Sequence, residues 1–181
     1  YLTGNSRIPG VKATPGHGTN VPLYILGSSL FGAQLAAALG LPYGFASHFA
    51  PQALRDAVAI YRREFRPSEQ LAEPYVIAGV NVIAADDQED ADAQFLRVRR
   101  SRVGLILGRD QEFSDEDADA ILASPQGRQV DQMTRYSAVG TPDVVRKYLE
   151  EFADHADADE LMVVHSSPKP EQRIGSLRLL A

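Results

Sequence analysis

Hydrophobic positions along the chain form short apolar runs that alternate with stretches of helical spacing. The apolar runs predict strands within residues 21–27, 41–47, 74–85 and 160–167. After these runs, apolar side chains recur every three or four residues, which is typical of an amphipathic helix. Helices are predicted over residues 30–40, 49–65, 141–152 and 171–181. Strands that alternate with helices predict a parallel sheet with right-handed crossovers.

This alternation fits two architectures. An open doubly wound sheet and a (β/α)8 barrel both place a helix after each parallel strand. A complete barrel needs eight units and roughly 250 residues, whereas this chain shows four strand–helix units. The pattern alone leaves both architectures open.

Two segments depart from the alternation. Residues 1–20 are rich in Gly and Pro and have no apolar period, so they predict an irregular loop. Residues 86–135 are strongly charged and predict helices near 87–100, 114–123 and 126–136, interrupted by glycine and proline. With little apolar surface to bury, this helical insertion is expected to be the most mobile region after the opening loop.

Composition narrows the classes of function. The chain has 181 residues, of which 44% are hydrophobic, enough for one domain with one core. A net charge of −6 disfavours nucleic-acid binding, which depends on Lys and Arg. The absence of Cys excludes disulfides and thiolate catalysis. Without a membrane-length apolar run or a signal-peptide pattern, a cytoplasmic protein with no membrane contact is expected.

The sharpest local feature joins the first strand to the first helix. Gly27 ends the strand, and Ser28 and Ser29 then meet the N-terminus of a helix rich in small residues. Free backbone N–H groups and the helix dipole favour an anion at such a junction, and the hydroxyls add donors. The alternative is that Ser28 or Ser29 only caps the helix.

Histidines supply the other candidate chemistry. His48 follows the second strand at its carboxyl end, where parallel α/β proteins place their sites, and it could donate to a ligand or move a proton. A capping role is the alternative. His165, at the end of the last strand, and His17, in the opening loop, are weaker candidates.

The basic run of residues 95–102 follows an acidic run, so the two runs together predict a solvated surface on which the opposite charges compensate each other. No motif supports a metal site or a nucleophile.

Several blocks of sequence resemble the bacterial luciferase-like flavin monooxygenases. They are PLYILGSSLFGAQLAAALGLPYGFASHFAP, EPYVIAGVNVIAADDQEDA, SAVGTPDVVRKYLEEF and ADELMVV, and together they cover most of residues 21–165. The resemblance implies a (β/α)8 TIM barrel. Residues 1–181 are then expected to be the C-terminal part of one barrel domain, with about four βα units that correspond to strands five to eight.

The resemblance also assigns site residues. It places the flavin phosphate at Ser28 and Ser29, with Gly27 and Gly32 allowing close approach. Phe45 and Ser47 are expected near the flavin ring and substrate, and His48 is the candidate catalytic residue.

The function implied by the resemblance is oxidation of a small organic substrate with reduced FMN and molecular oxygen. The FMN is expected to come from a separate reductase. The alternatives are a deazaflavin-dependent oxidoreductase on the same barrel and a non-catalytic flavin-binding relative. Activity is expected only with the N-terminal half of the barrel, which this sequence lacks, and a homodimer is expected.

Overall fold

The structure, a computed structural model, describes residues 8–48, 50–108 and 113–181. Its strands are β1 (Ile25–Gly27), β2 (Tyr43–Phe45), β3 (Val76–Ala84), β4 (Ser137–Gly140) and β5 (Glu160–His165). Its helices are α1 (Leu30–Leu39), α2 (Leu54–Glu64), α3 (Gln88–Leu107), α4 (Asp115–Leu122), α5 (Gly127–Met133), α6 (Pro142–Ala156) and α7 (Pro170–Leu180). All four predicted apolar runs contain a strand.

The five strands form one parallel sheet around β3. β5 pairs with residues 77–82 of β3, while β2 pairs with 76–78 and β4 with 81–84. Because β5 overlaps both, β2 and β4 share the opposite edge of β3. β4 was not predicted from the sequence, since four residues that include Ser137 and Gly140 are too short to show a strand period.

The long apolar strand β3 separates two packing environments. Its even-numbered residues, such as Val76 and Val80, enter the main core with α1, α2 and α6. Its odd-numbered residues face the other side of the sheet, where Ile77 and Gly79 line a cavity. Further along the same face, Ile83 packs against α3. Helices therefore cover one face throughout, and the second face only near the carboxyl end of β3.

The inserted helices pack more closely than their charge predicts. Val103, Ala118 and Val130 form a small buried cluster between α3, α4 and α5. The expected break at Gly104 is wrong, because α3 continues to Leu107. One glycine in a helix costs about 1 kcal/mol, which the burial of neighbouring apolar side chains offsets.

Some expectations fall partly outside the described residues. Of the predicted opening loop, residues 8–20 contain turns without helix or strand, and residues 1–7 lie outside the description. Residues 109–112 of the insertion also lie outside it. Within the described ranges, no helix combines the length and the apolar character that crossing a bilayer demands.

Candidate functional site

An apolar cavity of about 430 Å³ lies on the face of the sheet that the outer helices leave uncovered. It is lined by Tyr24, Ile25, Leu26, Gly44, Phe45, Ala46, His48, Ile77, Gly79, Glu160 and Met162. The pairing register places Leu26, Gly44, Ile77 and Glu160 in one row across four strands. The cavity thus follows the sheet and reaches the carboxyl end of β2, where parallel α/β proteins hold their ligands.

His48 is held at the rim of this cavity by two residues of β3. A Cβ added to Gly79 would overlap with Nδ1 of His48, so only glycine leaves room for the imidazole ring. The buried Asn81 donates from Nδ2 to the His48 carbonyl at 2.6 Å. Ser47 is also buried, and its hydroxyl donates to the Gly79 carbonyl at 2.5 Å. The turn after β2 is therefore fastened to β3 on both sides of the histidine.

The environment of His48 favours the neutral imidazole. Burial lowers the pKa of His48 below its ordinary value, and the positive charge of Arg102 lowers this pKa further. A neutral imidazole can accept or donate a hydrogen bond near neutral pH, which suits a group that contacts a ligand.

The junction between β1 and α1 keeps its hydroxyls free of capping. Ser29 stands at the N-cap of α1 with extended backbone, but its side chain makes no capping hydrogen bond. Ser28 and Ser29 are both exposed. Gly27 and Gly32 lie against each other, because a Cβ on Gly32 would come within 3.6 Å of the Gly27 Cα. The structure thus places the predicted phosphate-binding residues together beside the cavity-lining end of β1.

The other candidate residues differ in how they are placed relative to the cavity. Phe45 lines the cavity, but its ring belongs to the main core. The rings of Phe45 and Tyr43 meet edge to face, with 6.2 Å between their centroids. His165 shares the outer face of the sheet with Val163, and its Nδ1 lies 2.8 Å from Ser176 Oγ on α7. It therefore points away from the cavity. His17 is exposed in the opening loop.

Sequence reasoning missed the contribution of β3 to the site. The signal was present in VIAGVNVIA, where Gly79 and Asn81 interrupt an otherwise apolar run on the same strand face. A small and a polar residue two positions apart in a buried strand indicate close approach by something else. The effect of the half-buried Arg102 on the pKa of His48 was not predicted either, because the basic run that contains Arg102 was interpreted as a solvated surface.

The model of the family "Luciferase-like monooxygenase" matches residues 2–158. The chain belongs to the luciferase-like monooxygenase family. This confirms the resemblance seen in the sequence. A protein of Escherichia coli K12 named "Luciferase-like monooxygenase" is 40% identical over 157 residues, which are 86% of this chain and 47% of that protein. This luciferase-like chain thus spans about half the length of that relative.

Solved structures agree with the family assignment. The crystal structure of apo-MsnO8 is 31% identical, with a TM-score of 0.75, and the match covers 99% of this chain and 55% of that one. A riboflavin lyase solved with modified FMN and riboflavin shares the fold at 19% identity and TM-score 0.56, over 90% of this chain and 42% of that one. A coenzyme F420-dependent tetrahydromethanopterin reductase from Methanopyrus kandleri also shares the fold, at 20% identity and a TM-score of 0.55. The match covers 88% of this chain and 50% of that one.

Proposed function

We propose that this luciferase-like chain forms the flavin-binding part of a monooxygenase that acts on a small organic substrate with reduced FMN and molecular oxygen. The observation that carries the proposal is the apolar cavity on the uncovered sheet face, with the Ser28–Ser29 junction and His48 at the carboxyl ends of neighbouring strands. Family membership supports oxidative chemistry, and the likeness to proteins whose titles name FMN or coenzyme F420 supports a flavin-type cofactor.

The residues present fit FMN at both of its ends. A phosphate suits an exposed helix N-terminus with two uncommitted hydroxyls. An aromatic ring suits a cavity whose walls include Leu26, Ile77 and Met162. Bound reduced FMN would supply the electrons that activate oxygen.

The chain's own residues would then bind the phosphate, shield the reacting centre from water and position a group that transfers a proton. Ser28 and Ser29 would donate hydrogen bonds to the phosphate, and the apolar cavity wall would exclude water from the reacting centre. The imidazole of His48, held by Gly79 and Asn81, would accept or donate one proton at the ring nitrogen that faces away from Gly79.

We also propose that further strands complete a barrel over the cavity. The cavity face exposes 76% of Leu26, 58% of Tyr24 and 54% of Met162, which is unusual for apolar side chains around a binding site. An N-terminal half-barrel would cover this face, in agreement with a chain about half as long as its relative. A homodimer of complete barrels would bury other surfaces.

The test combines flavin binding with oxygen incorporation in the complete protein. Anaerobic titration should show saturable binding of reduced FMN, and ¹⁸O from labelled oxygen should then enter a product from a panel of small organic compounds. Preference for a deazaflavin over FMN, with hydride transfer and no ¹⁸O in the product, would indicate the deazaflavin alternative. Flavin binding without turnover of any compound would indicate a non-catalytic relative.

A further inference from the structure

Helix α3 lies on the cavity side of the sheet. Its residues Ala91 and Val98 pack against Ile83, which shares a strand face with the cavity-lining Ile77 and Gly79. Arg102 follows Val98 by four residues and therefore continues the stripe of α3 that faces the sheet. This spacing places Arg102 on the side of α3 that faces the sheet rather than on the outer surface of the helix.

Arg102 differs from its neighbours in the basic run. Arg99 pairs with Asp131 at 2.6 Å, and Arg100 pairs with Asp115 and Asp119. Arg102 is half-buried, and no carboxylate of the described residues lies within ion-pairing distance of it. Among the described residues, it makes one hydrogen bond, from Nη1 to the Met133 carbonyl at 3.1 Å. Burial without a counter-charge lowers the pKa of Arg102.

Arg102 interacts with residues that line two cavities. Its charge acts on His48, which lines the apolar cavity. Its partner Met133 lines a second cavity of about 490 Å³, together with Ala50 and Gln52 from the segment after His48. A guanidinium has five N–H donors in a planar fork that matches a carboxylate or a phosphate, and the carbonyl of Met133 occupies one of them.

We propose that Arg102 is an anion-recognition residue at the mouth of the cavity, where it binds the carboxylate or phosphate group of a ligand held beside His48. The proposal rests on the proposed function only for the cavity that the ligand enters. Arg102 lies on α3, which packs against β3, and β3 lies two strands from β1, about 10 Å across the sheet, so the Arg102 site is separate from the Ser28–Ser29 junction.

The direct test uses inorganic phosphate as the probe and the complete protein without flavin. The His48 ring signal is followed by NMR during a phosphate titration at constant ionic strength. In the wild type, this signal should shift saturably. Arg102→Gln should weaken phosphate binding about ten- to a hundredfold, as expected for loss of a charged hydrogen-bond donor. Arg102→Lys should retain part of the affinity, because it retains the charge.

The matched control is Arg97→Gln, which removes an exposed arginine from the same helix. It should leave phosphate affinity unchanged. The proposal is overturned if the wild type shows no saturable shift, if Arg102→Gln binds phosphate like the wild type, or if Arg97→Gln weakens binding equally. Circular dichroism confirms that each variant is folded.

A second arm identifies the source of the anionic group. If Arg102→Gln weakens binding of FMN but not of riboflavin, the group is the flavin phosphate, and the assignment of that phosphate to Ser28 and Ser29 is wrong. If both flavins bind as in the wild type while phosphate affinity falls, the group belongs to the organic substrate. Both results support an anion site at Arg102. Absence of flavin binding in every variant would contradict the proposed function and leave the phosphate result intact.

Discussion

At the residue scale, the absence of a side chain at Gly79 determines where His48 lies. Gly79 leaves the space that the His48 ring fills, and Asn81 and Ser47 fix the surrounding turn to β3. The buried polar groups of Asn81 and Ser47 are satisfied by main-chain carbonyls, as buried polar groups must be. The position of His48 therefore depends on a neighbouring strand.

Removing both junction hydroxyls should weaken FMN binding selectively. In the complete protein, Ser28→Ala combined with Ser29→Ala should reduce FMN affinity by about a hundredfold, since each hydrogen bond to a charged group contributes about 1.5–3 kcal/mol and the backbone donors remain. Riboflavin, which lacks the phosphate, should bind as in the wild type. Equal losses for FMN and riboflavin, or no loss for either, would show that these serines do not hold the phosphate.

Acid should destabilise the protein partly through His48. Its pKa in the folded state lies below the ordinary 6.5, because burial and then Arg102 disfavour the charged ring. The unfolded chain therefore takes up a proton first, and this contribution to stability falls as the pH drops through 6.5 towards the folded pKa. Urea unfolding from pH 7.5 to 5 should show a smaller loss of stability for His48→Gln than for the wild type, with His17→Gln as the exposed control.

At the element scale, small residues let α1 approach the sheet and α2. Ala33, Ala36 and Ala37 are fully buried, while Gly40 ends the helix in the left-handed conformation, with φ at 62°. Helix α6 begins near the predicted residue 141, with Thr141 at the N-cap, although without a side-chain capping hydrogen bond, and Pro142 in the first turn. Local signals in the sequence thus set where several helices begin and end.

Two glycine substitutions should have opposite effects on stability. Gly40→Ala adds a Cβ in a left-handed residue and against the Arg66 carbonyl, so it should lower the unfolding free energy by more than about 1 kcal/mol. Gly104→Ala lies within α3 and meets nothing within 4 Å, so it should raise stability by about 0.5–1 kcal/mol. Urea unfolding measures both. Equal signs would contradict the assigned helix boundaries.

The inserted helices should exchange amide protons faster than β3. The small cluster of Val103, Ala118 and Val130 buries far fewer residues than the core around β3. Hydrogen exchange of the complete protein should therefore show weaker protection in 115–133 than in 76–84. Equal protection in the two segments would show that the insertion unfolds only with the core.

At the scale of the whole molecule, the described residues form an open sheet that helices cover throughout on one face and only near the carboxyl end of β3 on the other. β3 supplies the core on its even side and the ligand cavity on its odd side. The exposed row of apolar side chains along the cavity is the surface that a second half-barrel would bury. Burial of these apolar side chains would favour the proposed closure.

Substitution of Leu26 tests whether further strands cover the cavity face. In the complete protein, Leu26→Ala should cost about 2–5 kcal/mol, as expected for a buried leucine, although Leu26 is 76% exposed here. Leu105→Ala, at a leucine of α3 that is 53% exposed, should cost less than about 0.5 kcal/mol. Unfolding by urea gives both values. Similar small costs would show that no further strands cover Leu26.

The sequence by itself determined the parallel α/β class, the segments that contain the predicted strands, and the family. Apolar runs, helix caps and the strand–helix junction at Ser28 and Ser29 are local patterns, and each could be predicted from the sequence alone. These features depend on residues close together in the chain.

The tertiary structure alone decided how the site is assembled. The direction in which His165 points, the need for glycine at position 79, and the hydrogen bond from Arg102 to the Met133 carbonyl all depend on contacts between residues far apart in sequence. The extra strand β4 exists because β3 is long enough to pair with β2 and then with β4 on one edge. Strand register and helix placement set these contacts, and no local pattern encodes them.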